Sequence, residues 1–360
     1  MNTLTKKLIL LTLIFSSFKA IAQLPGKIHV GLVYPLSTNG THAPLDTNNL
    51  SIHLLIGVSA AERGPSFAGF SNVILKDAVG SQFAGFSNHV GGKADGAQFA
   101  GFANTYGGGK GVAFAGFANV AHGNVNGAQF SGFINYAHRI KGSQFAGFMN
   151  IVNKSISESQ IAGFINKAGN VKGTQLAGFI NIARKVKGAQ IAGFVNVADS
   201  SDYPIGIINI IKNGEKSIGI STDETQTTIL SFRSGGKGLY GLIGLGYNFK
   251  NEDEVYAAEL GLGAHFFSSQ VFCLNTELVS TVLEDFKTAD YFKTSFRLMP
   301  NIKLFNALAL FGGPSLNVVT TSSDEGKQLY TTALKSWSNK WGRDYTALYI
   351  GYTVGAHILF

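Results

Sequence analysis

The chain has 360 residues, of which 45% are hydrophobic and 14% charged, with 45 glycines, 7 prolines and a formal charge of +8. That charged share falls well below the roughly 25% of ordinary soluble domains, and the basic residues are scattered among turns, which argues against a nucleic-acid surface. The single cysteine, Cys273, can form no internal disulfide.

Residues 1–22 read as a secretory leader. Lys6 and Lys7 precede the apolar stretch Leu8 to Phe15, which is too short to span a bilayer, and Ala20-Ile21-Ala22 offers a small-x-small cleavage site before Gln23. No later stretch has 18 uninterrupted apolar residues, so no membrane-spanning helix is expected. Residues 23–65 hold two apolar segments, Lys27 to Pro35 and Leu50 to Ala60, which read as strands.

Residues 66–222 repeat one short phrase. Phe67-Ala68-Gly69-Phe70-Ser71-Asn72 returns at Phe83, Phe99, Phe114, Phe130 and Phe145, and with an aliphatic first residue at Ile161, Leu176 and Ile191. A worn copy stands at Ile205-Gly206-Ile207-Ile208-Asn209. From Gly69 to Gly193 the central glycines are spaced by 16, 16, 15, 16, 15, 16, 15 and 15 residues. A fixed short period means one structural unit made many times. If each copy is extended, one face is apolar and the other carries amides and small residues, as Ala128 to Ala137 shows. The linkers between copies are rich in turn formers.

Residues 223–360 hold longer apolar segments, with a long loop at 319–344. Tyr240, Tyr247, Tyr256, Tyr291 and Tyr345 sit near segment ends, as the aromatic girdles of a membrane barrel require. Short connections (Ser234 to Lys237, Ser268 to Gln270, Phe305-Asn306) alternate with longer ones (Lys250 to Glu254, Glu284 to Asp290, Thr320 to Asp344). Within the longest loop Leu329, Ala333, Leu334, Trp337 and Trp341 recur at helical spacing after Ser323-Asp324, a candidate N-cap. Trp337 and Trp341 are therefore candidate contacts for a partner or for the membrane interface.

The expected fold is all-β: an antiparallel transmembrane β-barrel of roughly 20 strands that takes in residues 23–65, the repeats and the C-terminal strands. Two arguments carry it. The polar loops fall on one side of such a barrel, and the 15/16 alternation suits hairpins with two kinds of turn. The alternative is a β-solenoid of repeats joined to a smaller C-terminal β-barrel, in which like residues stack as ladders. In the larger barrel the amides Gln82, Gln98, Gln129, Gln144, Gln160, Gln175 and Gln190 face the lumen. So do Asn88, Asn104, Asn119, Asn135, Asn150, Asn166, Asn181 and Asn196, because unpaired amides in lipid are costly.

The phrase Gly188-Ala189-Gln190-Ile191-Ala192-Gly193-Phe194-Val195-Asn196 and the exit run Tyr203 to Gly214 resemble a family of Gram-negative surface-repeat outer-membrane proteins. The resemblance covers roughly residues 66 to 250. It implies an outer-membrane or surface location and carries no catalytic residues. No hydrolase elbow, zinc-protease motif or phosphate loop occurs, so neither catalysis nor a metal or cofactor is expected. The functional expectation is an outer-membrane barrel, structural or passing small polar solutes. The alternative is a surface-exposed adhesion or interaction protein. Membrane lipid is the expected partner, with an extracellular partner reached through the loops.

Overall fold

The computed structural model describes residues 27–286, 290–305, 307–330, 332–338 and 345–360. The expected leader and Trp341 lie outside them. Strands make up 71% and helix 3%, so the chain is all-β. It divides into two compact units, 1–173 and 174–360.

The first unit is a β-solenoid of parallel strands, and the roughly 20-strand antiparallel barrel is not formed. Each copy lies on the next in parallel, like residue on like residue, with Asn88 on Asn104 and Phe99 on Phe114, although Gln98 lies on Ala113. The segments expected as N-terminal barrel strands are its first coils. Ile28–Val33 pairs in parallel with Leu50–Ser59, which pairs in turn with Ser66–Ala68 and Ser71–Ile74.

The 15/16 alternation has a different origin from hairpin turns. Tyr106 pairs with Ala121, a step of 15, whereas Gly109 pairs with Val125, a step of 16. In the next coil Ala121 pairs with Ala137 and Asn124 with Arg139, the reverse order. The extra residue is absorbed as a bulge in the polar corner. The Phe-Ala-Gly-Phe corner keeps its register throughout.

The second unit opens with further coils of the same kind. Gln175–Ala177 lies on Lys185–Ala192, and Ile180–Ile182 on Val195–Ala198, which lies on Ile208–Ile211. A closed antiparallel barrel of eight strands follows. Its strands are Glu215–Asp223, Thr227–Gly235, Leu239–Asn248, Tyr256–Phe266, Phe272–Glu284, Tyr291–Lys303, Leu308–Thr321 and Tyr345–Leu359. Each pairs with the next, and the eighth pairs with the first through Ile218–Ile358 and Ile220–Ala356, which removes the open edges.

The long loop is not one amphipathic helix. Ser323 does cap a helix, accepting from the Gly326 N–H at 3.1 Å, but that helix ends at Gln328. Lys335–Ser338 is instead a strand laid on the eighth barrel strand, with Trp337 opposite Thr346. The main-chain pairing on offer at that strand outweighs the local helical spacing.

Candidate functional site: an aromatic ladder and a charged barrel interior

Inside the coils the asparagines form a hydrogen-bonded column, and the glutamines from Gln129 to Gln160 form a second. Asn88 Nδ2 donates to Asn104 Oδ1 at 2.9 Å, and the same bond recurs from Asn104 to Asn119 and from Asn119 to Asn135. The second hydrogen of each amide reaches a backbone carbonyl of the next coil, as from Asn119 to Phe130 at 2.7 Å. Gln144 donates to Gln129 at 2.7 Å and Gln160 to Gln144 at 2.9 Å. In the second unit Gln190 donates to Gln175, and Asn181 to Asn196.

The residues expected to face a lumen are thus sealed in the solenoid interior. Gln82, Gln98, Gln129, Gln144, Gln160, Gln175, Gln190, Asn88, Asn104, Asn119, Asn135, Asn150, Asn166, Asn181 and Asn196 are all buried. Parallel in-register stacking supplies each asparagine, and the glutamines from Gln129 to Gln160, with a copy of itself as partner, which antiparallel staves would not. One rung is broken. Ala113 stands where a Gln is expected, Tyr106 fills the space, and its hydroxyl accepts from Gln129 at 2.9 Å.

The outward face of the same phrase is aromatic. Phe67, Phe83, Phe99, Phe114, Phe130 and Phe145 stack in one column with ring centroids 4.7 to 5.2 Å apart. Phe70, Phe86, Phe102, Phe117, Phe133, Phe148 and Phe164 form a second. The rings of each pair lie within 12° of parallel. Glycine between the columns is a steric requirement. A Cβ on Gly116 would fall less than 3.0 Å from the Gly101 carbonyl oxygen, and Gly132 stands the same way over Gly116. Beside the first column runs an open groove of about 500 Å³, floored by Ala68, Ala84, Ala100 and Ala115.

The first coil is closed by a buried polar cluster. His29 meets Ser37 at 2.8 Å, Ser51 donates to Glu62 at 2.7 Å, and Asn48 donates to Glu62 at 3.2 Å. The His29 and His53 rings meet edge to face at 4.3 Å. Burial holds both imidazoles down at about 4. The last rung is closed by the barrel: Asn209 accepts from Asn196 at 2.9 Å and donates to the Ser234 carbonyl at 3.0 Å.

The barrel is apolar outside and charged inside. Ile220, Leu230, Leu245, Leu260, Leu278, Phe296, Leu316 and Ile350 project outward, one from each strand. Inside, Arg233 donates to Glu277 at 2.8 Å, and Tyr240 to the same carboxylate at 2.8 Å. Arg297 binds Glu259 at 3.1 and 2.5 Å and stands 3.7 Å from Glu277, while Lys293 pairs with Asp223. These groups come from the first six strands and are all buried. Eight strands leave an interior just wide enough for side chains, and here ion pairs occupy it.

Exposed aromatics mark both rims. Tyr247, Phe249, Tyr256 and Phe286 lie at one, and Phe266, Phe267, Phe272 and Phe305 at the other. Of the tyrosines expected in girdles, Tyr247 and Tyr256 are exposed, Tyr345 is half-buried, and Tyr240 and Tyr291 point inward. Trp337 is exposed on its strand.

The charged interior was missed at the level of sequence. Its signal is there: Glu259, Glu277, Lys293 and Arg297 each sit at one parity of strands whose other parity is mostly apolar. Among the described residues no group of three or more His, Cys, Asp or Glu side chains could hold a metal ion. No family model, curated protein or solved structure matches this chain.

Proposed function

We propose that this protein is a non-catalytic repeat protein held in an outer membrane by its C-terminal barrel, with the solenoid as its interacting body. The inside-out barrel carries the reading. Apolar side chains on every outer face beside buried ion pairs are costly arrangements in water and suitable ones in lipid. Strands of 9 to 15 residues are long enough to cross. Aromatic rims at both strand ends fit the two membrane interfaces. Passive passage of solutes, the first expectation, loses its basis: the amides it needed are inside the coils, and the barrel interior is occupied by ion pairs. The resemblance to surface-repeat proteins agrees with a membrane address.

The barrel also favours one side for the solenoid. The last coil meets the barrel at Ser234, beside the turn 236–238. That end also bears the connections 267–271 and 304–307, and the opposite end bears 249–255, 285–290 and 322–344. Outer-membrane barrels keep short turns on the periplasmic side and long loops outside. The coils of the second unit then face the periplasm, and the Trp337 loop faces outward, available to an extracellular partner.

Carbonate extraction and gel mobility with and without heating test the anchor. A protein that stays soluble without detergent refutes it. A membrane-impermeant maleimide on Lys185→Cys, an exposed position in the coils of the second unit, and on Ser336→Cys tests the side. Labelling of Ser336→Cys alone in intact cells is expected, and labelling of Lys185→Cys before the membrane is opened refutes the orientation.

A further inference from the structure

The double phenylalanine ladder is larger than a solvated monomer surface normally carries. Ten of its rings in the first unit are 36 to 46% exposed. At roughly 200 Å² for each aromatic side chain, they present on the order of 800 Å² of continuous apolar surface. Monomers seldom expose a patch above about 300–600 Å², and each partner in a standard protein interface contributes about 800 Å². The area thus matches one half of a stable dimer.

The pitch selects the occupant. The rings recur every 4.7 to 5.2 Å along both columns, and an open groove follows the first. An irregular partner surface would meet each rung differently and fill few of the gaps. A second copy of this chain presents rings at the same spacing, so the rows of one copy seat between the rows of the other along their whole length. A two-fold contact of this kind is self-complementary and closes on itself. No charged side chain stands within the two columns to oppose the approach. We infer that two copies of this chain associate through their phenylalanine ladders, ring rows interdigitated, independently of where the barrel resides.

The test uses the full-length protein in lipid nanodiscs, or in buffer if it proves soluble. Copies bearing two different tags are co-expressed, and both copurification and particle mass are read. The wild type is expected to copurify and to give two copies per particle. Phe102→Glu with Phe117→Glu, placed on exposed middle rungs, is expected to reduce copurification at least tenfold and to give one copy. Co-expressing that variant with Phe102→Lys plus Phe117→Lys is expected to restore pairing between unlike copies, which misfolding could not do. Single wild-type copies overturn the inference. So does pairing that survives the Glu variant, and so does a failure of the Glu and Lys variants to pair. Heat-dependent gel mobility, measured on the same samples, reports the barrel separately.

Discussion

Gly116→Ala tests the solenoid at its tightest point. The added Cβ would lie less than 3.0 Å from the Gly101 carbonyl oxygen, where ordinary contact begins at 3.4 Å. Neighbouring coils must therefore part locally by on the order of 1 Å, since the obstacle is backbone and cannot rotate away. Three bonds span the same gap: Gly116 N–H to Ala100 at 3.2 Å, Phe117 N–H to Phe102 at 2.9 Å, and Asn104 to Asn119 at 2.9 Å. Weakening them at about 1 kcal/mol each, with a penalty of about 1–3 kcal/mol for a buried amide left unpaired, gives roughly 4–6 kcal/mol. That corresponds to amide exchange about a thousandfold to ten-thousandfold faster around the corner. Hydrogen exchange read on peptides covering 98–135 measures it without a fluorophore in the coils. Gly238→Ala is the control, because a Cβ there meets nothing within 4 Å, and it should change exchange by less than about threefold. Equal exchange in the two variants would refute the close-approach argument.

Asn119→Ala removes bonds to Asn104, Asn135 and Phe130 at once and should cost roughly 3 kcal/mol in unfolding experiments. Asn104→Ala combined with it should cost less than the sum of the two, because one bond is shared. Acid should loosen the first coil. The His29 and His53 imidazoles are held at about 4 by burial against an ordinary 6.5, so the unfolded state binds more protons between those values. The stability these two groups contribute then falls as pH drops from 6.5 to 4 and levels off below, partly offset by Glu62, whose carboxyl burial raises above its ordinary value, and exchange at residues 28–59 rises across that window. Glu277→Ala strands Arg233 and Arg297 with one carboxylate fewer and should destabilise the barrel by about 3–5 kcal/mol, read as a lower temperature for the gel-mobility shift. In planar bilayers the wild type should give no steady conductance, and open-channel steps would refute an interior filled by ion pairs.

The barrel was the more legible half. Eight apolar segments after residue 216, with their alternating short and long connections, correspond to the eight strands. Alternation with period two survives in a barrel because each strand has one wet and one dry face. The repeats were ambiguous for a physical reason. A copy such as Ala128 to Ala137 has the same two faces whether its neighbour runs parallel or antiparallel, so alternation cannot choose between them. Two features did bear on the choice. Gly at the centre of an outward face serves no purpose against lipid but is required where backbones nearly touch. Identical Asn at every copy has no special value between antiparallel strands, whereas in parallel register each amide finds its own copy as donor and acceptor. The Arg233–Glu277 pair stayed hidden because its partners lie on the second and fifth barrel strands, which only closure brings together, whereas Glu277 stands directly opposite Arg297 on the neighbouring strand.

The two halves also solve one problem in different ways. A parallel stack exposes unpaired main chain at each end, a template for adding further strands. At the start, Leu36–Ser37 folds back on Ile28–Val33, and His29, Asn48, Ser51 and Glu62 bury a linked set of polar side chains. At the finish the barrel does the work: Asn209, the last amide of the column, donates to Ser234 instead of to another asparagine, and its N–H donates to the Ser234 hydroxyl at 2.9 Å. Ser234→Ala should therefore loosen the last coil more than the barrel, because the backbone carbonyl remains while the hydroxyl that holds the Asn209 N–H is lost. The expected cost is about 1–3 kcal/mol for one buried N–H left unpaired. Faster exchange confined to residues 200–211, with an unchanged barrel mobility shift, is the expected result. Loss of both together would mean that coil and barrel unfold as one cooperative unit, and that the amide column is stabilised along its length by the barrel that ends it.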